Sequence, residues 1–76
     1  MAEPYAVLYP RSSFIRRIAL YFGTDELFIH VTVEKRRTYV YRVLDSTVWN
    51  LFVLAPSKGR YFNKVIKKKH RMIRRY

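Results

Sequence analysis

Three stretches in the middle of the chain alternate apolar and polar residues, and very short links join them. The stretches run over residues 13–22, 27–33 and 38–43, and each link between them is four residues long. Alternation with a period of two predicts β-strands with one buried face. Because parallel neighbours need a long crossover connection, links this short predict a three-stranded antiparallel meander.

The residues after the third stretch predict two helices. A first helix begins near Thr47, with Asp45 or Ser46 as its N-cap, because the apolar residues that follow recur at helical spacing. Pro56 ends this helix, and Ser57 can cap a second helix over residues 58–76. The predicted fold is α+β: the meander followed by two helices packed on one of its faces. The residues expected to pack between the helices are Phe62, Val65 and Ile66 against Val48, Leu51 and Phe52.

Residues 1–12 are predicted to be a lead-in segment of the same single domain, which spans residues 1–76. Pro4 and Pro10 disfavour a helix in this segment. Its alternating residues can instead pair with a sheet edge: Tyr5, Val7 and Tyr9.

The positive charge of the chain is concentrated in residues 58–76. The whole chain has 16 Lys and Arg residues against 5 Asp and Glu residues, a net charge of +11. Nine of the basic residues and none of the acidic ones lie in residues 58–76. As one continuous helix, this segment would be strongly basic on one face and apolar on the other. Like charges along one helix face repel each other, and an anionic partner would relieve that repulsion.

We therefore expect residues 58–76 to bind a polyanion. Basic side chains spaced along a helix can neutralise phosphates, which releases counterions and gives salt-dependent affinity with little sequence preference. The predicted function is non-catalytic binding of the RNA or DNA backbone. The candidate contacts are Lys58, Arg60, Lys64, Lys67, Lys68, Arg71, Arg74 and Arg75.

A second candidate surface is the other face of the predicted sheet, opposite the face that carries most of the apolar residues. Guanidinium and aromatic planes at these positions can stack on unpaired bases. An alternative is that the same side chains form a second small core under the lead-in segment. The residues are Arg17, Tyr21, Phe28, His30 and Arg42.

Charge alone does not separate nucleic-acid binding from binding to an acidic protein. A small basic protein, for example one encoded by a phage, can dock on an acidic surface or in the nucleic-acid channel of a larger machine and modulate it. Host RNA polymerase, a nuclease or a defence complex would each offer such a site. Peripheral membrane binding is disfavoured because the apolar face of the second helix is needed for the core.

The sequence shows no catalytic constellation. The acidic residues fall mostly in expected turns or at a helix cap, and neither His30 nor His70 has a carboxylate placed to orient it. Two glycines do not make a phosphate-binding loop, and the absence of Cys excludes thiolate zinc sites and disulfides. We expect no enzyme activity, metal or cofactor. Without a signal peptide or a long apolar run, we expect a cytoplasmic protein.

Residues spread over 11–70 resemble the KTSC domain. The most specific part is the run Ser57-x-Gly59-x-Tyr61-Phe62-Asn63-x-x-Ile66. The remaining matches are Ser12, Ser13, Ile15, Ile18, Leu27, Val31, Tyr39, Tyr41, Val43, Val48, Trp49 and Ala55. This small module is named for its occurrence at the C-terminus of some lysyl-tRNA synthetases, and it also stands alone in bacteria and phages. The resemblance supports the fold, and its association with a tRNA-handling enzyme points toward RNA.

The chain departs from the family pattern at three places. Asp45 stands where the family usually has Pro, and residues 34–37 lack the usual Gly. The basic stretch over residues 67–75 is longer than is usual in the family. We therefore expect the start of the first helix and the second hairpin to be built differently, and binding by the basic stretch to be this protein's own elaboration.

Overall fold

One antiparallel sheet with two helices on one face forms the fold. The structure is a computed structural model that describes residues 3–23, 26–34 and 36–76. Five strands lie in the sheet in the order in which they occur along the chain: β1 (Ala6–Leu8), β2 (Ile15–Phe22), β3 (Leu27–Val33), β4 (Thr38–Val43) and β5 (Arg71–Arg75). Two helices, α1 (Thr47–Leu54) and α2 (residues 58–69), connect β4 to β5.

The predicted meander corresponds to the three central strands. β2, β3 and β4 pair antiparallel, and the second and third predicted strands have the observed bounds. The N–H of Gly23 donates to the carbonyl of Glu26 at 2.8 Å and closes the first hairpin, and that of Val33 donates to Arg37 at 2.8 Å in the second. Parts of both predicted turns and of the lead-in segment lie outside the described residues: Met1, Ala2, Thr24, Asp25 and Lys35.

The sheet has five strands rather than the predicted three. The first additional strand, β1, lies within the lead-in segment, where Ala6, Val7 and Leu8 pair with β2. The predicted pairing of this segment with a sheet edge is therefore confirmed.

The second additional strand, β5, occupies residues that were predicted to be helical, so the predicted helix over residues 58–76 is too long. That helix ends at Lys69, His70 is extended with φ −124° and ψ 151°, and Arg71–Arg75 pair with β4. Without β5, the outer backbone groups of β4 would form an unpaired sheet edge. Pairing with β5 satisfies those backbone groups. A helix that continued over residues 70–76 could not form these hydrogen bonds.

α2 is continuous but not uniform. It consists of an α-helical turn over Lys58–Tyr61, a π-helical turn over Phe62–Ile66 and a final α-helical turn over Lys67–Lys69. The hydroxyl of Ser57 accepts the N–H of Arg60 at 3.3 Å, which confirms the predicted cap. In the described part of the chain, no helix combines the length and the apolar character that crossing a membrane requires.

The start of α1 uses the side chain of Asp45. Its Oδ1 accepts the N–H of Thr47 at 2.8 Å, whereas Ser46 occupies the N-cap position without a side-chain hydrogen bond. The residue that replaces the family's usual Pro therefore satisfies one of the free N–H groups at the start of the helix.

Both helices pack on the core face of the sheet. The buried core residues are Ile15, Ile18, Leu20, Ile29, Val31, Val33, Tyr41, Val43, Trp49, Phe52, Phe62 and Ile66. Phe62 and Ile66 are buried as predicted, and Val65 is half-buried.

The predicted burial of Leu51 is wrong, because its side chain is 51% exposed. Tyr61 fills the space beside α1 instead. Its ring stacks on Phe52 with centroids 5.1 Å apart, and its hydroxyl donates to the carbonyl of Val48 at 3.0 Å.

Arg36 is strained in the second hairpin. Among the described residues, it is the only non-glycine residue with a positive φ, at 59°. This left-handed conformation costs roughly 1–2 kcal/mol for a residue with a Cβ atom. The glycine that the family usually has in this reversal would avoid that cost.

We predict that Arg36→Gly raises the free energy of unfolding by about 0.5–1 kcal/mol, since relief of strain outweighs the added freedom of the unfolded chain. Urea denaturation measures the change. Arg37→Gly is the matched control and should lower stability, because Arg37 does not have a positive φ. A destabilised Arg36→Gly variant would contradict this explanation of the hairpin.

Candidate nucleic-acid interface

Within the described residues, no helix covers the face of the sheet opposite α1 and α2. Paired residues on neighbouring antiparallel strands project their side chains to the same face, so the strand register defines what this face carries. We call it the open face, and it has three rows. The first row is Arg17, Thr32, Thr38 and Tyr76, the second is Val7, Ala19, His30, Val40 and Arg74, and the third is Tyr21, Phe28, Arg42 and Arg71.

All five strand residues singled out in the sequence lie on the open face: Arg17, Tyr21, Phe28, His30 and Arg42. The alternative was a second core beneath the lead-in segment; β1, within that segment, pairs beside β2 as an edge strand. Arg42 is exposed and the other four are half-buried, as expected for side chains that line a surface.

Small buried residues form the floor of the open face around His30. Ala19 and Val40 flank His30 in the same row, and both are buried although neither belongs to the core beneath the helices. The rings of Tyr21 and His30 lie beside each other, with centroids 4.1 Å apart and planes tilted by 36°.

Phe28 lies close to the backbone of the first hairpin. A Cβ atom placed on Gly23 would come within 2.9 Å of Cε2 of Phe28. Glycine at this position therefore allows the ring to approach the chain. Together with Tyr21, His30 and Tyr76, both residues line a shallow depression with a volume of about 560 Å³.

The electrostatics of the open face favour anions near Arg17. Burial lowers the pKa of Arg17, but the phenol groups of Tyr21 and Tyr9 raise it more, so its pKa lies above the ordinary value. Burial and the charge of Arg17 lower the pKa of His30 below its ordinary value of 6.5. His30 is therefore neutral near pH 7 in the free protein, while Arg17 is charged.

Arginines converge where β4 pairs with β5. Arg42 lies directly across from Arg71, an arrangement of like charges that destabilises a sheet. Glu26 offsets part of this repulsion, because its Oε1 accepts a hydrogen bond from Nη1 of Arg42 at 3.0 Å. The guanidinium carbon of Arg74 lies 4.8 Å from the centroid of the Tyr76 ring. This corner of the open face thus carries three guanidinium groups and one carboxylate.

The eight basic residues predicted to contact a polyanion are divided between α2 and β5. Arg60, Lys64, Lys67 and Lys68 are exposed on α2, and Lys58 is half-buried with its Nζ donating to the carbonyl of Ala55. The remaining three lie on β5. Arg71 and Arg74 lie on the open face, and Arg75 lies on the core face. The prediction that one helix carries all eight contacts is corrected, because α2 ends at Lys69 and β5 follows.

Sequence reasoning missed two aromatic residues near the open face, Tyr9 and Tyr76. Tyr9 follows β1, and the alternation of the lead-in segment was a usable signal for its position. The position of Tyr76 depends on β5, for which the sequence offered no comparable pattern. In residues 3–23, 26–34 and 36–76, no three His, Asp or Glu side chains lie close enough together to share a metal ion.

The residues of the Ser57–Ile66 run build the junction between the helices and the core. Ser57 caps α2, Tyr61 bonds to α1, and Phe62 and Ile66 are buried. Gly59 lies beside the link between β1 and β2, since a Cβ atom on it would be 3.8 Å from Oγ of Ser12. These contacts give the run a structural role.

Comparison with known proteins identifies the family. Neither the curated proteins nor the solved structures gave a significant match. The family model described as the KTSC domain matches residues 11–70, the range over which the sequence resemblance extends. This match covers most of the chain, and the chain therefore belongs to the KTSC domain family.

Proposed function

We propose that this protein is a non-catalytic module that binds single-stranded nucleic acid on the open face. The observation that supports this proposal is the presence of aromatic rings and guanidinium groups together on one uncovered sheet face. Every base has a π-face, so rings of this kind stack on unpaired bases with little sequence preference. Duplex bases are already stacked on each other and cannot use such a surface in the same way.

The positions of the charges support the same ligand. Arg17 lies at one end of the first row, and Arg42, Arg71 and Arg74 lie at the β4–β5 side. A strand whose bases stack on Tyr21, Phe28 and Tyr76 can place its phosphates on these guanidinium groups. Arg also pairs with phosphate in a bidentate manner, which a Lys side chain cannot do.

α2 contributes a second, purely electrostatic contact in this proposal. Its basic side chains at Lys64, Lys67 and Lys68 are exposed on the helix side of the molecule, and the chain passes from them directly into β5. A strand that leaves the open face around the β5 edge would meet these ammonium groups. They strengthen binding to any polyanion and do not distinguish single strands from duplexes.

RNA is the favoured nucleic acid, because KTSC domains occur at the C-terminus of some lysyl-tRNA synthetases. We place the activity in the cytoplasm, since the absence of Cys is compatible with a reducing compartment.

The ligand class is tested by titrating purified protein with oligouridine, oligothymidine and a DNA duplex over a range of salt concentrations. We expect single strands to bind tightest. Equal, weak binding of all three, on the order of 10⁻⁴ M, would contradict the proposal.

Substitutions on the open face and on α2 should have different effects on nucleic-acid binding. Phe28→Ala should weaken single-strand binding by about 5- to 150-fold, the loss of one stacked base, and leave duplex binding almost unchanged. Phe28→Leu, which keeps apolar bulk without a planar ring, should be nearly as weak. Charge reversal of Lys64, Lys67 and Lys68 should instead weaken binding to all three ligands and reduce the salt slope by about 2 for single strands and about 3 for the duplex. If the lysine variant instead lost only single-strand binding, and Phe28→Ala weakened all three ligands equally, the bases would lie on α2.

Glu26 competes with phosphate for Arg42. Glu26→Gln should therefore tighten binding to oligouridine by about two- to fivefold, while stability changes by less than about 1 kcal/mol because the ion pair is half exposed. Glu34→Gln changes the net charge equally and serves as the control, since Glu34 lies at the other hairpin. Equal gains in both variants would show that only the net charge matters.

The lowered pKa of His30 predicts opposite effects of acid on folding and on binding. Because the unfolded chain takes up a proton more readily than the folded one, stability should fall as the pH drops from about 6.5 to the lower pKa of the folded state. A phosphate bound beside Arg17 and His30 favours the imidazolium, so binding should raise the pKa of His30 and affinity should rise toward acid pH.

Proton NMR of the His30 ring with and without oligouridine measures this shift directly. The variant His30→Gln should fold and bind but lose most of the pH dependence of affinity. A His30 pKa that does not move on binding would mean that no phosphate lies near this part of the open face.

A further inference from the structure

A second concave surface lies on the helix side of the molecule, where the link that follows α1 meets α2. We call it the interhelical groove; it is lined by Ala55, Pro56, Ser57, Arg60, Tyr61, Lys64 and Val65, and has a volume of about 280 Å³. Its lining is almost entirely apolar, and small-molecule sites are usually about 300–1,000 Å³ in volume. A space of this size suits one large apolar side chain better than a cofactor.

α1 exposes two leucines shortly before the groove residues in the chain. Leu51 precedes Ala55 by one helical turn, at the spacing that places two residues on the same side of a helix. Leu51 is 51% exposed, and Leu54, one turn from Leu51, is 76% exposed. Neither side chain belongs to the core. We call these two exposed leucines the apolar strip; it precedes the groove residues Ala55 and Pro56 along the chain.

The rim of the interhelical groove is positive. Arg60 and Lys64 contribute to its lining, and Arg60 is exposed on the first turn of α2. The chain contains no acidic residue after Asp45, so α1 and α2 hold no carboxylate that could pair with these cations. An occupant that satisfies both features must present an apolar side chain next to carboxylates.

This chemistry decides between three classes of occupant. A second copy of the chain would bring the same cations and few carboxylates to the contact, because the net charge is +11. A nucleic acid would satisfy Arg60 and Lys64 but would leave the apolar strip along Leu51 and Leu54 uncovered. An acidic amphipathic helix covers the apolar strip and supplies the carboxylates. Binding of such a helix in an apolar groove relies on apolar anchors one turn apart.

We propose that the interhelical groove binds an acidic amphipathic segment of a partner protein. A large apolar side chain of that segment lies between Ala55 and Val65, and its flanking carboxylates pair with Arg60 and Lys64. The site lies on the helix side of the molecule, on the face away from the aromatic rings of the open face. This proposal does not depend on nucleic-acid binding.

A designed peptide tests the groove without knowledge of the natural partner. The probe is a fluorescein-labelled synthetic helix with Leu at i, i+3, i+4 and i+7 and Glu on both flanks, titrated into the full chain and followed by fluorescence anisotropy. We expect saturable binding that is lost when the Leu residues are replaced by Ser. We also expect it to weaken when the Glu residues are replaced by Gln.

Protein variants locate the site. Lys64→Glu should weaken the peptide by about fivefold or more, and Lys69→Glu, the same change outside the groove, by less than about twofold. Two outcomes would each overturn the proposal: no saturable binding of the Leu/Glu peptide, or equal binding of the Ser-substituted peptide.

Discussion

The docking of α2 on the core face through Phe62 and Ile66 determines the arrangement of the rest of the molecule. Phe62 is buried against the aromatic rings of β4, with its centroid 5.7 Å from that of Tyr41. Tyr61, the preceding residue, stacks on Phe52 and bonds to the backbone of α1. Two adjacent aromatic residues thereby connect α2 to the sheet and to α1. The Ser57–Ile66 run is therefore the part of the sequence that packs the two helices on each other and on the sheet.

This one-sided packing has a direct consequence for function. A small chain with two short helices can cover only one face of a five-stranded sheet, and the other face remains accessible to a ligand. The side chains on that face are not the aliphatic residues of a hidden core. They are aromatic rings, arginines and His30, above a floor of Ala19 and Val40. The interhelical groove is a separate product of the same packing, formed where the chain turns from α1 into α2.

Much of the fold follows from local sequence patterns. Period-two alternation and four-residue links were sufficient for β2, β3 and β4, and Ser57 marked the start of α2. The strand residues of the open face were found in the same way, because alternation assigns every second side chain to one face.

The division of the basic residues could not be predicted. A helical wheel with about 100° per residue presumes uniform α-helix, and the π-helical turn over Phe62–Ile66 changes the angular position of every later residue. The switch from helix to strand at His70 depends on the free edge of β4, a long-range feature that no local pattern around Arg71–Arg75 encodes. Leu51 was misplaced for a similar reason, since the ring of Tyr61 comes from another helix and occupies the position beside α1.

The most direct test of the account is a map of backbone amide chemical shifts of the isotope-labelled full chain, recorded with and without oligouridine. We expect the largest changes in the rows of the open face, at Phe28, His30, Arg42 and Arg74, with smaller changes at the exposed lysines of α2. Changes confined to α2, with the open face unaffected, would contradict the claim that the uncovered face of the sheet is the surface that binds nucleic acid.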